Sequence, residues 1–195
     1  MKSTQTKRLV LCGVCAALTC VLAPIALPIP VSQVPISLAT FAVMLSAALL
    51  GPKLGLASQV VYLLLGCIGV PVFAGFSGGP GALVGPTGGY LVGYLALALI
   101  EGGVYFALGG KGKFLKKTGV LIFAMVLGTV ALYALGTAWF MAATHTPLAG
   151  ALIACVVPFL PGDAAKILVV ALAVPQLERA LGRFGMLPKA VASLG

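Results

Sequence analysis

Six apolar runs, near residues 9–27, 36–50, 54–70, 88–109, 118–143 and 161–182, occupy most of this chain, with short connections between them. A helix that crosses the hydrocarbon core of a bilayer needs about 20 apolar residues. The longer runs reach that length. The second and third fall short of it and are read as spans because the charges between them require it. The remainder cannot make a soluble surface: of 195 residues, 61% are hydrophobic, 8% are charged and three are acidic. The expected fold is an all-α integral membrane protein, a single membrane domain over residues 1–195 that crosses the lipid bilayer six times.

The cations set the expected orientation. Lys2, Lys7 and Arg8 precede the first run, and Lys53 sits in the Gly51-Pro52-Lys53 turn between the second and third. Lys111, Lys113, Lys116 and Lys117 lie between the fourth and fifth, and Arg179, Arg183 and Lys189 close the chain. Six spans with both termini in the cytoplasm put every cation except Lys166 on the inner side. The outer connections, near 24–35, 71–87 and 144–160, carry no Lys, Arg, Asp or Glu. An odd number of spans would place Arg179 and Arg183 outside, against that bias. The net charge of +9 is thus a matter of orientation. Nucleic-acid binding is not expected, because the basic residues are scattered between spans instead of gathered on a face with stacking aromatics.

Other functions are excluded on similar grounds. The charged N-terminus resembles a secretion signal, but no small-x-small processing site follows it, so the first helix is expected to stay. Cys12, Cys15, Cys20, Cys67 and Cys155 all lie in apolar segments, which argues against a disulfide framework. Cys12-x-x-Cys15 has a redox or metal spacing but reads as small apolar residues on a helix. His145 stands in an outer loop with no second ligand beside it, so no metal is expected. Nor is an enzyme, since the spans offer neither a nucleophile with its base nor a carboxylate pair.

Asp163 and Lys166, within Pro158-Phe159-Leu160-Pro161-Gly162-Asp163-Ala164-Ala165-Lys166, are the charges read as lying far from a membrane edge. Three residues apart on a helix, they share a face. Pro161 suits the first turn of a helix, so the last span is expected to begin there. Asp163 then sits where the helix dipole favours an anion. Arg179 lies ~24 Å further along at ~1.5 Å per residue, which places the pair in the outer half of the membrane. An ion pair that only pins helices is the plain reading; buried pairs are poor stabilisers compared with apolar packing, which favours a ligand site. The preceding stretch Leu148–Val157 is apolar but too short to cross.

The loop from Gly66 to Tyr90 is rich in glycine, with apolar residues between the glycines, unlike a solvated linker. It has no phosphate-loop pattern and no lysine. It reads as a compact cap that brings backbone N–H groups near a ligand. Thr87 or Gly88 opens the fourth helix with free N–H groups. Tyr90, one turn in, offers a ring and a hydroxyl, or else belongs to an interfacial aromatic belt. A further outer element, Pro28-Ile29-Pro30-Val31-Ser32-Gln33-Val34-Pro35, is held extended by its prolines, and Gln33 can bond a ligand amide or face water. On the first helix, Gly13-x-x-x-Ala17 and Cys12-x-x-x-Ala16-x-x-x-Cys20 form stripes of small residues, suited to close packing within the molecule or against another membrane subunit.

Three of these motifs, in order along nearly the whole chain, carry a resemblance. Gly69-Val70-Pro71-Val72-Phe73, Gly85-Pro86-Thr87-Gly88-Gly89-Tyr90 and Pro158-Phe159-x-x-Gly162-Asp163-x-x-Lys166 resemble the BioY family, the biotin-binding S components of energy-coupling factor transporters. The resemblance implies a six-helix fold in the prokaryotic cytoplasmic membrane, with a biotin site near the outer face closed by outer loops. It implies partners: a transmembrane coupling subunit and two cytoplasmic ATPases. Biotin is then the substrate, ATP is used by the partners, and no cofactor is expected on this chain. Small residues of the first helix dock onto the coupling subunit in that family; Gly13, Ala16 and Ala17 occupy matching places, with cysteines where some alanines are expected.

Biotin suits the residues. Asp163 can accept from a ureido N–H and Lys166 can donate to the ureido carbonyl, although charge alone equally allows Lys166 to meet the tail carboxylate. Ser77, Thr87 and Gln33 are candidates for further polar contacts. Phe73, Phe76 and Tyr90 are candidates to pack on the bicyclic ring. The residues alone also allow an autonomous secondary carrier, in which Asp163 cycles protons with Lys166 as its partner.

Overall fold

The computed structural model describes residues 2–29, 32–109 and 114–183. Helix α1 (Lys2–Leu22) leads into a two-stranded hairpin, β1 (Ala26–Ile29) and β2 (Ser32–Ser37), and then into α2 (Ala39–Cys67). A 3-10 turn (Ala74–Phe76) and a short helix α3 (Pro80–Val84) follow. The rest is α4 (Gly88–Leu108), α5 (Phe114–Thr144), the short α6 (Leu148–Cys155) and α7 (Leu160–Arg183). Five helices, α1, α2, α4, α5 and α7, are long and apolar enough to cross a membrane.

Helix α2 is two arms. Gly51 breaks its helical path with φ 76 and ψ −179, and Pro52 follows. A Cβ on Gly55 would lie 3.2 Å from the Cα of Ala47. Eight residues of straight helix would separate them by about 12 Å. The chain therefore folds back at Gly51, and the arms match the second and third apolar runs. Only glycine fits there: a Cβ on Gly51 would also stand 2.7 Å from the ring of Phe106. Gly102 on α4 lets this turn approach, since a Cβ there would meet the Pro52 nitrogen at 2.7 Å.

Helix α4 packs between α2 and α5, α1 lies on α2, and α7 closes the bundle against α2 and α5. Met44, Tyr62, Leu97, Tyr105, Leu121 and Val170 fill the centre. The outward faces stay apolar: Leu172 is 67% exposed and Phe123 56%. Such faces are what a bilayer requires of a multi-pass protein.

Some expectations are corrected. The proline-rich segment is extended but also paired, with Ala26 opposite Ser37, Leu27 opposite Ile36 and Ile29 opposite Ser32. Helix α7 begins at Leu160, one residue before Pro161, because the Asp163 N–H already bonds to the Phe159 carbonyl at 2.9 Å. Lys111, Lys113 and Lys189, three of the cations used for orientation, lie outside the described residues.

Candidate ligand-binding site

Four elements converge on the Asp163–Lys166 pair. Both residues are buried, at 3% and 9% exposed. The Lys166 ammonium donates to Asp163 Oδ1 at 2.7 Å, to the Ser37 backbone carbonyl at 2.7 Å and to Thr40 Oγ1 at 2.8 Å. An ammonium has three N–H groups, so its donors are all used. Thr40 donates to Asp163 Oδ1 at 3.2 Å, and the Tyr133 hydroxyl donates to Oδ2 at 2.6 Å. Ser37 ends β2, Thr40 lies in the first turn of α2, Tyr133 is on α5, and the charged pair opens α7. A buried pair is tolerated when hydrogen bonds beyond the pair hold its charges, and Ser37, Thr40 and Tyr133 supply them here.

This network forms one end of a chamber. A small cavity of about 30 Å³ is lined by Thr40, Tyr133, Phe159, Asp163 and Lys166. A larger one of about 280 Å³ is lined by Tyr62, Phe73, Ser77, Thr87 and Leu91. Both share Val34, Pro35, Ser37, Tyr90 and Tyr94, so they adjoin. Thr40 and Tyr62, near opposite ends of the folded α2, thus reach the same chamber. Its walls are aromatic: Tyr62 meets Phe73 edge-on at 5.5 Å and Tyr94 at 6.4 Å. An apolar chamber with convergent polar groups at one end is the usual form of a small-molecule site.

The structure places the residues expected from sequence unevenly. Asp163, Lys166, Tyr90, Phe73, Ser77 and Thr87 all line the chamber. Tyr90 is fixed by its hydroxyl, which donates to the Cys155 carbonyl at 3.0 Å and so ties α4 to the end of α6. The Ser77 hydroxyl donates to the Ala74 carbonyl at 2.9 Å within its own turn. Phe76 is a correction: it is 70% exposed and lines neither cavity. The Phe73 N–H bonds to the Ser77 carbonyl at 2.9 Å, and Phe76 takes φ 58 in the turn between them. That turn seats Phe73 inside and leaves Phe76 outside. The side chain of Gln33 lies outside the described residues.

The first helix is also corrected in part. Ala16 is 2% exposed and packs inward with Cys12 and Cys15, so it is not available to a partner in this structure. Gly13 and Ala17 are exposed, and a Cβ on Gly13 would touch nothing within 4 Å. The two stripes are offset by one residue, about 100° around the helix, and so face different ways.

Sequence reasoning missed Thr40, Tyr133, Tyr94 and Tyr62 as lining residues, and a second buried polar cluster as well. Glu178 of α7 pairs with Lys117 of α5 at 2.7 Å and accepts from the Tyr105 hydroxyl of α4 at 3.0 Å. Lys117 falls inside α5, which begins at Phe114, and is itself 9% exposed. Glu101 is fully buried, and neither carboxyl oxygen has a hydrogen-bond partner among the described residues. Asp163 and Lys166 are therefore not the only charged residue types buried in the bundle. A signal was present: Tyr90, Tyr94, Glu101 and Tyr105 recur on one face of α4 at helical spacing.

Comparison with known proteins gives concordant matches. The BioY family model matches residues 1–183. A probable biotin transporter BioY from Pyrococcus horikoshii is 36% identical over 162 residues, covering 83% of this chain and 90% of that protein. Biotin transporter BioY2 from Lactococcus lactis subsp. cremoris is 34% identical over 182 residues, covering 93% of this chain and 95% of that one. Among solved structures, the S-component for biotin from an ECF-type ABC transporter superposes with a TM-score of 0.83 at 27% identity, covering 92% of this chain and 94% of that one. The S component of a bacterial ECF transporter superposes with a TM-score of 0.56 at 20% identity over 92% of this chain and 98% of that one, a likeness of fold alone.

Proposed function

We propose that this chain, which belongs to the BioY family, captures biotin at the outer face of the membrane as the substrate-binding subunit of an energy-coupling factor transporter. It is a multi-pass protein of the prokaryotic cell membrane and a transport component, not an enzyme. The observation that carries the reading is the satisfied Asp163–Lys166–Thr40–Tyr133 network at the end of an aromatic-walled chamber. The ring system of biotin is a cyclic urea fused to an apolar ring, and the chamber has matching parts.

In this reading Asp163 accepts from a ureido N–H, while Lys166 balances its charge and fixes its orientation. Phe73 and Tyr90 flank the bicyclic ring. Ser77 and Thr87, at the glycine-rich cap, lie toward the tail. The two arms of α2 act as separate spans, which makes six with both termini in the cytoplasm. The positive-inside bias supports that orientation. The exposed small face of α1, at Gly13 and Ala17, docks onto a transmembrane coupling subunit, and two cytoplasmic ATPases use the ATP. No cofactor is required on this chain.

Uptake of labelled biotin by a host lacking its own biotin transporter tests the assignment. Accumulation is expected when this chain is expressed with a coupling subunit and two ATPases, and loss of ATP hydrolysis in those ATPases should abolish it. Accumulation unaffected by that loss would overturn the assignment to an energised complex.

A further inference from the structure

Asp163 Oδ1 accepts from both Lys166 and Thr40, while Oδ2 accepts from Tyr133 alone among the described residues, so Oδ2 is the oxygen a ligand N–H can reach. The three N–H groups of Lys166 are committed to Ser37, Thr40 and Asp163. Removing Lys166 from the Ser37 carbonyl would strip a buried backbone acceptor where β2 ends, a costly change. The Thr40 hydroxyl proton lies on Asp163 Oδ1, beside the ammonium. Tyr133 differs from these. Its hydroxyl donates to Oδ2 at 2.6 Å, it is only partly buried, and it lines the same cavity as the carboxylate.

We propose that Tyr133 is a ligand-contacting, specificity-determining residue: a ligand N–H takes over Asp163 Oδ2, and the released phenol hydroxyl donates to the neighbouring ligand carbonyl. The exchange leaves neither Asp163 Oδ2 nor the Tyr133 hydroxyl unpaired. Oδ2 loses one donor and gains another, the phenol exchanges one acceptor for another, and the Lys166 network stays intact. In a cyclic urea, N–H and C=O stand side by side on one edge. That edge presents a donor and an acceptor to an acceptor and a donor that are 2.6 Å apart here. The inference rests on the cyclic-urea reading of the site and adds a residue that reads the carbonyl.

The test compares biotin with 2-thiobiotin, which keeps both N–H groups but replaces the carbonyl with a much weaker acceptor. Both are titrated calorimetrically into the purified full chain and into Tyr133→Phe. Wild type should prefer biotin, and Tyr133→Phe should shrink that preference by about fivefold, the worth of a net hydrogen bond. The ratio cancels any effect on the empty protein. Equal changes for both ligands would make Tyr133 a structural residue and overturn the proposal. Wild type that binds neither ligand would overturn the biotin reading itself, and the Tyr133 proposal with it. Should Tyr133→Phe fail to fold, 3-fluorotyrosine at position 133 keeps the ring and makes a stronger donor. The preference for biotin should then rise, and an unchanged or smaller preference would contradict the proposal.

Discussion

Lys166 of α7 donates to the backbone carbonyl of Ser37 at 2.7 Å, where β2 ends and α2 is about to begin. Ser37 is already a junction. Its hydroxyl donates to the Ala23 carbonyl at 2.8 Å and accepts from the Ala39 N–H at 3.0 Å. The charge at the end of the chamber therefore fastens the hairpin that walls it, through one residue shared by the end of α1, the hairpin and α2.

Lys166→Met should act at both places. It leaves Asp163 buried without its counter-charge, a loss of about 3–5 kcal/mol, and frees the end of the hairpin. Hydrogen exchange at residues 32–37 should quicken in the variant, and biotin binding should disappear. Unchanged exchange there would show that Lys166 does not hold the hairpin.

Glu101 should be dispensable for stability. Its carboxyl is fully buried with no hydrogen-bond partner among the described residues, and an apolar residue of similar size removes that burden. Glu101→Leu should be neutral or stabilising, by up to about 1–3 kcal/mol. Thermal unfolding in detergent measures it, and a marked fall in Tm would show that the carboxyl makes an interaction the structure does not contain.

Glu178 should behave in the opposite way. Glu178→Ala removes the buried Lys117–Glu178 ion pair and should cost about 3–5 kcal/mol. Adding Lys117→Met should recover part of that loss. Biotin affinity should hold in whichever variant folds, since the cluster shares no lining residue with the chamber. A biotin-specific loss in a stable Glu178 variant would place the cluster in the binding path.

Gly51→Ala tests the folded-back α2. The backbone there has φ 76, and a Cβ would meet the Phe106 ring at 2.7 Å. Strain of this kind costs about 1–3 kcal/mol, so Tm should fall. Gly51→Ala with Phe106→Ala should fall less from its own Phe106→Ala parent, because the clash is gone and the backbone strain remains. An equal fall in both backgrounds would remove Phe106 from the account.

Much of the site was legible because its key pair is local. Asp163 and Lys166 sit one helical turn apart, and Gly51-Pro52-Lys53 marks its own turn. The partners of the pair were not legible. Thr40 is 123 residues from Asp163 and Tyr133 is 30, and only the packing of α2, α5 and α7 brings them together. The hairpin was readable as extended chain but not as paired strands, since pairing depends on which backbone groups face each other across the turn. Ala16 and Phe76 failed for a common reason. Ala16 is buried beside an exposed Ala17, and Phe76 is exposed near a buried Phe73, and short spacing alone does not say which side faces inward.

The most direct measurement is calorimetric titration of biotin into the detergent-purified chain, without other subunits, alongside Asp163→Asn. Asn keeps the size of the side chain and removes the charge that the ureido N–H is proposed to meet. Saturable one-to-one binding by wild type, weakened about tenfold or more in a folded Asp163→Asn, is the predicted result. Wild-type affinity in a folded Asp163→Asn would remove Asp163 from the site, and no binding by folded wild type would contradict biotin capture altogether.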